Sequence, residues 1–382
     1  MMPYRVGMAA LLGAVLLAVF APAQTPSELE KNKGIGDSPD AAPPIATDLR
    51  PGLRHDAVRA AMREVADWQL ERARPYFSTD WTFAALYDGF MAASATLGDP
   101  KYEQAMREMG EKLQWQPGPR PEHADDVAVG QAYLELYLRN PDPRILPPLV
   151  DRFSYQMGLK DDPAKPLWWW CDALFMAPPT LARLYKATGK TEYLDFMDRE
   201  WGITTKLLYD PEEHLYFRDA TYLGKHEANG RKLFWSRGNG WVMGGIARVL
   251  DYAPKNYAAR PKYVAQLREM AAAVVKVQGK DGLWRSGLLD PQSYALPEVS
   301  GSAFLAYALA WGVNQGILDR QTYAPAAQKA WAGLLSHVYA DGRLGCIQPV
   351  GAAPGQFKPA SSYVYGVGAF LLAGSQMDRL HL

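Results

Sequence analysis

Apolar and polar positions recur with a helical period through most of the chain. From Asp56 to Arg74, Val58, Met62, Val65, Ala66 and Leu70 fall at i, i+4, i+7, i+8 and i+12, one face of a helix. Eleven further segments follow with short breaks: Asp80–Leu97, Tyr102–Trp115, Ala124–Tyr137, Pro143–Met157, Trp168–Thr188, Glu192–Tyr209, Asn239–Tyr252, Tyr263–Val277, Gly301–Gly316, Tyr323–Val338 and Ser362–Met377. Every second segment is rich in Gly, Ala and aromatic residues and carries few charges, while its neighbours bear a charged stripe. A helix that is apolar all round is buried, and a striped one faces water. The joints recur as well, in Leu97-Gly-Asp-Pro-Lys-Tyr102, Thr188-Gly-Lys-Thr-Glu-Tyr193 and Leu318-Asp-Arg-Gln-Thr-Tyr323, each opening a charged helix after a buried one. Such a hairpin repeat implies stacked pairs. Polar end caps of the kind an open solenoid needs are missing, so the six pairs are expected to close into a ring. The expected fold is all-α, an (α/α)6 barrel spanning residues 52–382. One stretch departs from the helical period: Leu215–Tyr222 and Lys232–Trp235 flank a turn with Gly224 and Gly230 and read as a β-hairpin insertion.

The start of the chain follows different rules. Arg5, the apolar run Met8–Phe20 and the small residues Ala21-Pro-Ala23 have the layout of a secretory signal over residues 1–23, too short for a permanent membrane span. Residues 24–51, rich in Pro, Ser, Asp and Lys, read as a flexible leader. The expected location is therefore periplasmic or secreted, with no membrane attachment after cleavage. Composition narrows the chemistry. Forty-one basic residues balance 41 acidic ones among 382, which removes the electrostatic case for a nucleic-acid partner. Two cysteines, Cys171 and Cys346, make no disulfide framework, and the expectation favours two buried thiols over a bridge. Twelve Trp and 21 Tyr supply flat amphipathic rings suited to sugars, although each one serves equally well as core.

Histidines 55, 123, 214, 226, 337 and 381 form no i, i+4 pair and no cluster with cysteine, so no metal site is expected. What remains is acids and aromatics at the heads of buried helices. Asp172, in Trp168-Trp-Trp170-Cys-Asp172, either caps its helix or stands as a carboxyl whose pKa is raised by tryptophans, ready to donate a proton. Asp125 and Asp126, after His123, head another buried helix; one of them is expected to cap and the other to face a pocket shared with Asp172. Trp235-Ser-Arg237-Gly-Asn-Gly-Trp241 offers stacking faces and a guanidinium fork for a carboxylate, or a structural Arg–Asp pair, with Asn239 a reasonable N-cap.

The motifs Trp170-Cys-Asp172-Ala-Leu-Phe-Met, Trp235-Ser-Arg237-Gly-Asn-Gly-Trp241 and Val299-Ser-Gly-Ser-Ala303 resemble glycoside hydrolase family 105, the unsaturated rhamnogalacturonyl hydrolases related to the family 88 unsaturated glucuronyl hydrolases. The similarity runs from about Asp56 to the C-terminus. It implies the same barrel and removal of a 4,5-unsaturated uronic acid from oligosaccharides released by polysaccharide lyases, as in pectin breakdown, through hydration of a vinyl ether without a cofactor. The position matching the family's proton donor is Asp172; the second acid maps onto Asp125 or Asp126, with Asp125 favoured. Trp170, Trp235 and Arg237 match substrate contacts, and His123 and Trp241 lie beside these motifs as further candidates. Where the family has histidine contacts this chain reads Tyr216-Phe-Arg218, so Arg218 becomes a second cation for the uronate, and the neighbouring sugar is open to be other than rhamnose. An unsaturated glucuronyl hydrolase acting on another lyase product is the alternative enzyme. A non-catalytic exported sugar-binding protein is the alternative from another class.

Overall fold

The computed structural model describes residues 34–160, 162 and 165–380, so the expected signal segment lies outside the described residues. The helices are α1 (His55–Ala73), α2 (Trp81–Leu97), α3 (Pro100–Lys112), α4 (Gly130–Arg139), α5 (Leu146–Met157), α6 (Ala173–Met176), α7 (Pro178–Thr188), α8 (Glu192–Leu208), α9 (Ser236–Tyr252), α10 (Arg260–Lys276), α11 (Val299–Asn314), α12 (Arg320–Leu335) and α13 (Val364–Met377). The apolar helices α2, α4, α7, α9, α11 and α13 pack in that order, and α13 returns to α2, closing an inner ring. Striped α3, α5, α8, α10 and α12 lie outside it, and α1 packs across the α2–α13 seam. The expected (α/α)6 barrel is the fold observed. Among the described residues no helix is long and apolar enough to cross a membrane.

Local chemistry explains the recurring joints. Gly98 ends α2 with φ +64°, a left-handed conformation that glycine adopts without a Cβ clash, and the Asp99 carboxylate then accepts from the Lys101 amide to start α3. Gly189 (φ +75°) ends α7 in the same way, and Asp319 caps α12 through the Thr322 amide. Ring closure depends on missing side chains: a Cβ on Gly368 of α13 would come within 2.1 Å of the Ala85 carbonyl oxygen of α2.

The structure departs from the sequence reading in four places. The sixth expected helix begins only at Ala173, because Trp170 is drawn into an extended pairing with Asp219 and the Cys171 amide donates to the Arg218 carbonyl. The fourth opens with a single 3-10 turn, Ala124–Val127, ahead of α4. The expected hairpin is corrected: Tyr209–Asp210 pairs with Leu215–Tyr216, while Lys232 and Trp235 make single bridges to His226 and Gly287. Residues 34–46 of the expected flexible leader are tied down. Gly36–Asp37 pairs with Ser362–Tyr363, Asp37 is ion-paired with Arg72 and Arg343, and the Ala46 amide donates to Val338.

Inside the ring, near the C-terminal ends of α2, α7 and α9, lies a buried charge cluster. Arg183 and Arg248 meet Glu135 at 2.6 and 3.0 Å, and Arg248 meets Asp88 at 2.9 Å. Gln131 accepts from Arg248 at 2.6 Å, and Asp251 accepts from the Trp311 indole at 2.7 Å.

Candidate active site

At the opposite end, the N-termini of the inner helices form a mouth. Asp172 stands directly before α6, yet its carboxylate takes no capping hydrogen bond. That disposes of capping as its role. It is buried, its nearest cation is Arg218, whose Nε lies 3.4 Å from Oδ2, and the Cys171 thiol donates weakly to the same oxygen at 3.8 Å. Burial raises its pKa above the usual carboxyl value, and Arg218 and then Arg237 offset part of that rise. Arg218 is fixed by donating to Asp219 at 2.7 Å, while its Nε is buried without a hydrogen-bond partner among the described residues. A planar fork with an unspent donor beside a protonatable carboxyl is poised to take an incoming anion.

The aspartate doublet divides its labour. Asp126 accepts from Arg120 at 2.6 and 3.0 Å through the side chain and at 2.5 Å through the Arg120 amide, clamping the 118–126 loop. Asp125 stands farther from the same arginine. Burial and the charge of Asp172 push its pKa up to about 7, against Arg120, whose Nη2 is 3.7 Å away. Neither aspartate caps. That task falls to His123, whose Nδ1 accepts from the Asp125 amide at 3.3 Å. Burial, followed by Arg120, pushes the His123 pKa down to about 4, so its imidazole is neutral at physiological pH. Its ring lies 4.6 Å from that of Trp170.

The Trp235–Trp241 motif is built differently from the sequence reading. Arg237 is wholly buried, stacked 4.3 Å from Trp235 and 4.8 Å from Tyr365. Its terminal nitrogens donate to the carbonyls of Gln348 (2.7 Å) and Pro349 (2.8 Å). These bonds hold the 348–349 segment against α9, a framework task in addition to the one the sequence reading gave Arg237, and its Nε is buried without a hydrogen-bond partner among the described residues. Trp235 donates its indole N–H to Gln348 at 3.0 Å, and Trp241 is buried against Phe175, Phe304 and Trp81 as core. Asn239 is no N-cap; α9 already begins at Ser236, and the Asn239 amide group bonds both the N–H and the C=O of Tyr216.

Sequence reasoning missed three residues. Glu298 caps α11 through the Ser300 and Gly301 amides and accepts from Gln348, joining the third motif to the second; an acid directly before Val299-Ser-Gly-Ser was the available signal. Gln348 carried none. Trp169 stood in the Trp168-Trp-Trp170 run, where pattern does not tell which ring looks outward. Among the described residues no three His, Cys, Asp or Glu side chains group as metal ligands. A cavity of about 500 Å³ adjoins His123, Trp169 and Trp170. A larger cleft of about 640 Å³ lies between α5 and α8, and Asp125, Asp126 and Asp172 line neither of the two.

Paired carboxyls and indoles at one mouth of a double helical ring define a carbohydrate-cleaving barrel enzyme. The comparisons agree, and the chain belongs to Glycosyl Hydrolase Family 88, whose family model matches residues 54–381. The resemblance read from the motifs is thereby borne out, and the protein is a glycoside hydrolase. It is 41% identical over 351 residues to an unsaturated 3S-rhamnoglycuronyl hydrolase of Formosa agariphila, covering 86% of this chain and 92% of the relative. Among solved structures it resembles a glycosyl hydrolase family 88 protein from Bacteroides vulgatus, with TM-score 0.82, 30% identity, and 86% and 100% of the two chains covered. It also resembles a protein described as a polysaccharide lyase, with TM-score 0.80, 32% identity, and 85% and 97% covered.

Proposed function

We propose that the enzyme removes a 4,5-unsaturated uronic acid from the non-reducing end of lyase-generated oligosaccharides, with Asp172 as proton donor and Asp125 as its partner. The observation that carries this reading is the pair itself: a buried carboxyl and a half-buried one, neither capping a helix, at one mouth, with an incompletely engaged arginine beside Asp172. In the empty site the proton is held at Asp125 up to about pH 7. Docking of the uronate carboxylate on Arg218 draws that cation away from Asp172, leaving Asp172 the more basic group, and the proton passes to it. Asp172 then protonates C4 of the vinyl ether, positive charge develops at C5 beside the ring oxygen, and water adds at C5 as Asp125 takes its proton. The hemiketal opens, and the hemiacetal left at C1 collapses to release the leaving sugar. The pair ends as it began, with one proton on Asp125.

The name of the Formosa relative supports rhamnose as the leaving sugar. The Arg5, Met8–Phe20 and Ala21–Ala23 pattern supports export to the periplasm or medium, so protein from its native host should begin at or near Gln24. The similar structure described as a lyase supports a second reading, elimination at a saturated uronate. One assay separates the two by sign. A hydrolase consumes the ultraviolet band of the unsaturated uronate on lyase-generated disaccharides, and a lyase creates it on the intact polysaccharide. Loss of the band in wild type but not in Asp172→Asn establishes the first reading. Creation of the band overturns it.

A further inference from the structure

Resting on that reading, we propose that the cleft lined by His123, Trp169 and Trp170 is the subsite for the leaving-group sugar, and that Trp169 is its stacking platform and a determinant of leaving-group selectivity. Of the three consecutive tryptophans, Trp168 and Trp170 are buried, whereas Trp169 is 43% exposed. A single exposed aromatic needs no explanation by itself, but its surroundings here do. Trp169 lies three residues before Asp172 and lines the cavity of about 500 Å³ together with His123 and Trp170. That volume falls within the range of about 300–1,000 Å³ typical of small-ligand sites. The ring is set in place from behind: the Arg218 guanidinium lies 5.3 Å from its centroid, and Trp170 packs against it at 4.6 Å. An exposed indole on a cleft, packed against the same arginine that pairs with Asp172, fits a pyranose presenting its apolar face, as a flat ring binds with little loss of side-chain freedom. Since Arg218 and the acids hold the uronate, the sugar reaching Trp169 is the one across the scissile bond.

The test compares a disaccharide carrying the unsaturated uronic acid with the methyl glycoside of the same uronic acid, which lacks a leaving sugar. Wild type should favour the disaccharide in kcat/KM. Trp169→Ala should lose about tenfold on the disaccharide, mostly through KM, and stay within about twofold on the methyl glycoside. Trp169→Phe, which keeps a ring, should recover most of the preference. Equal loss on both substrates would mean that Trp169 serves only to steady Arg218, and an unchanged preference would mean that the leaving sugar binds elsewhere; either result overturns the proposal. A misfolded variant is recognised by its melting temperature, and Trp169→Phe then carries the same comparison. Wild type inert on both substrates but active as a lyase overturns the underlying function, a distinct outcome that removes this subsite with it.

Discussion

The two ends of the barrel bury carboxyls in opposite ways. At the C-terminal end Glu135 is flanked by Arg183 and Arg248 at 2.6 and 3.0 Å; burial alone would raise its pKa, yet the two guanidiniums bring it below the usual range. At the mouth, Asp172 keeps its arginine at 3.4 Å and Asp125 keeps its own at 3.7 Å, and both pKa values rise. A few tenths of an ångström and one well-aimed hydrogen bond separate a carboxyl that binds the walls together from one that stores a proton. The far end is not uniform, since burial raises Asp88 as well despite Arg248. What distinguishes the mouth is that its cation has a donor without a hydrogen bond and that His123 and Trp170, neighbours of its acids in sequence, line a cleft.

That contrast is broken most directly at Asp172. Asp172→Asn should lower kcat by about 10²–10⁴-fold, the usual worth of general acid catalysis, while leaving the melting temperature nearly unchanged. Turnover close to wild type on a confirmed substrate would falsify its role. Next comes the reverse profile at the far end. Arg248→Met leaves buried carboxylates uncompensated and should cost about 3–5 kcal/mol of stability in denaturant titrations, with kcat per folded molecule preserved. The doublet gives a smaller version of the same contrast within two residues. Asp126→Asn loosens the Arg120 clamp and should cost about 1–3 kcal/mol of stability, whereas Asp125→Asn should spare stability and slow turnover.

The mildest effect is on pH. The folded pKa of Asp125, about 7, lies above the ordinary carboxyl value, so the folded state holds this proton more tightly than the unfolded chain. Its contribution to stability is full below the ordinary carboxyl range and is lost as pH rises through about 7. Melting temperatures of wild type should therefore fall relative to Asp125→Asn over that window, and kcat/KM should decline on the alkaline side as the pair loses its last proton. Parallel melting curves for the two proteins would show that Asp125 ionises freely.

Much of this was legible because it is local. The ring could be read from charged stripes such as Glu103, Arg107 and Lys112 on α3, and from Gly98 and Asp99, whose turn and cap chemistry is written in adjacent residues. The acids could be read because a carboxylate heading an apolar helix needs a reason. The framework task of Arg237 was not legible, because its partners, the carbonyls of Gln348 and Pro349, lie more than a hundred residues away and main-chain oxygens have no sequence signature. The hairpin failed for a similar reason: β-branched and aromatic residues mark a strand but not its partner, and Leu215–Tyr216 turned back to Tyr209–Asp210. Residues 34–46 look like a leader by composition, and what gives them a place lies far along the chain: the edge at Ser362–Tyr363, the Val338 carbonyl and the cations Arg72 and Arg343.

The closing seam of the ring has a consequence in time. Its two walls, Trp81–Leu97 and Val364–Met377, are the earliest and latest of the inner helices, and their contacts are among the most distant in sequence that the fold makes. During synthesis each finished hairpin can settle on the one before it, yet the inner faces of the first and the most recent stay wet until the final helix emerges. A nascent chain halted before Val364 therefore holds an open crescent with two unpaired apolar walls, the form most prone to join a second copy of itself. Val364–Met377 is what turns a row of helices into a vessel.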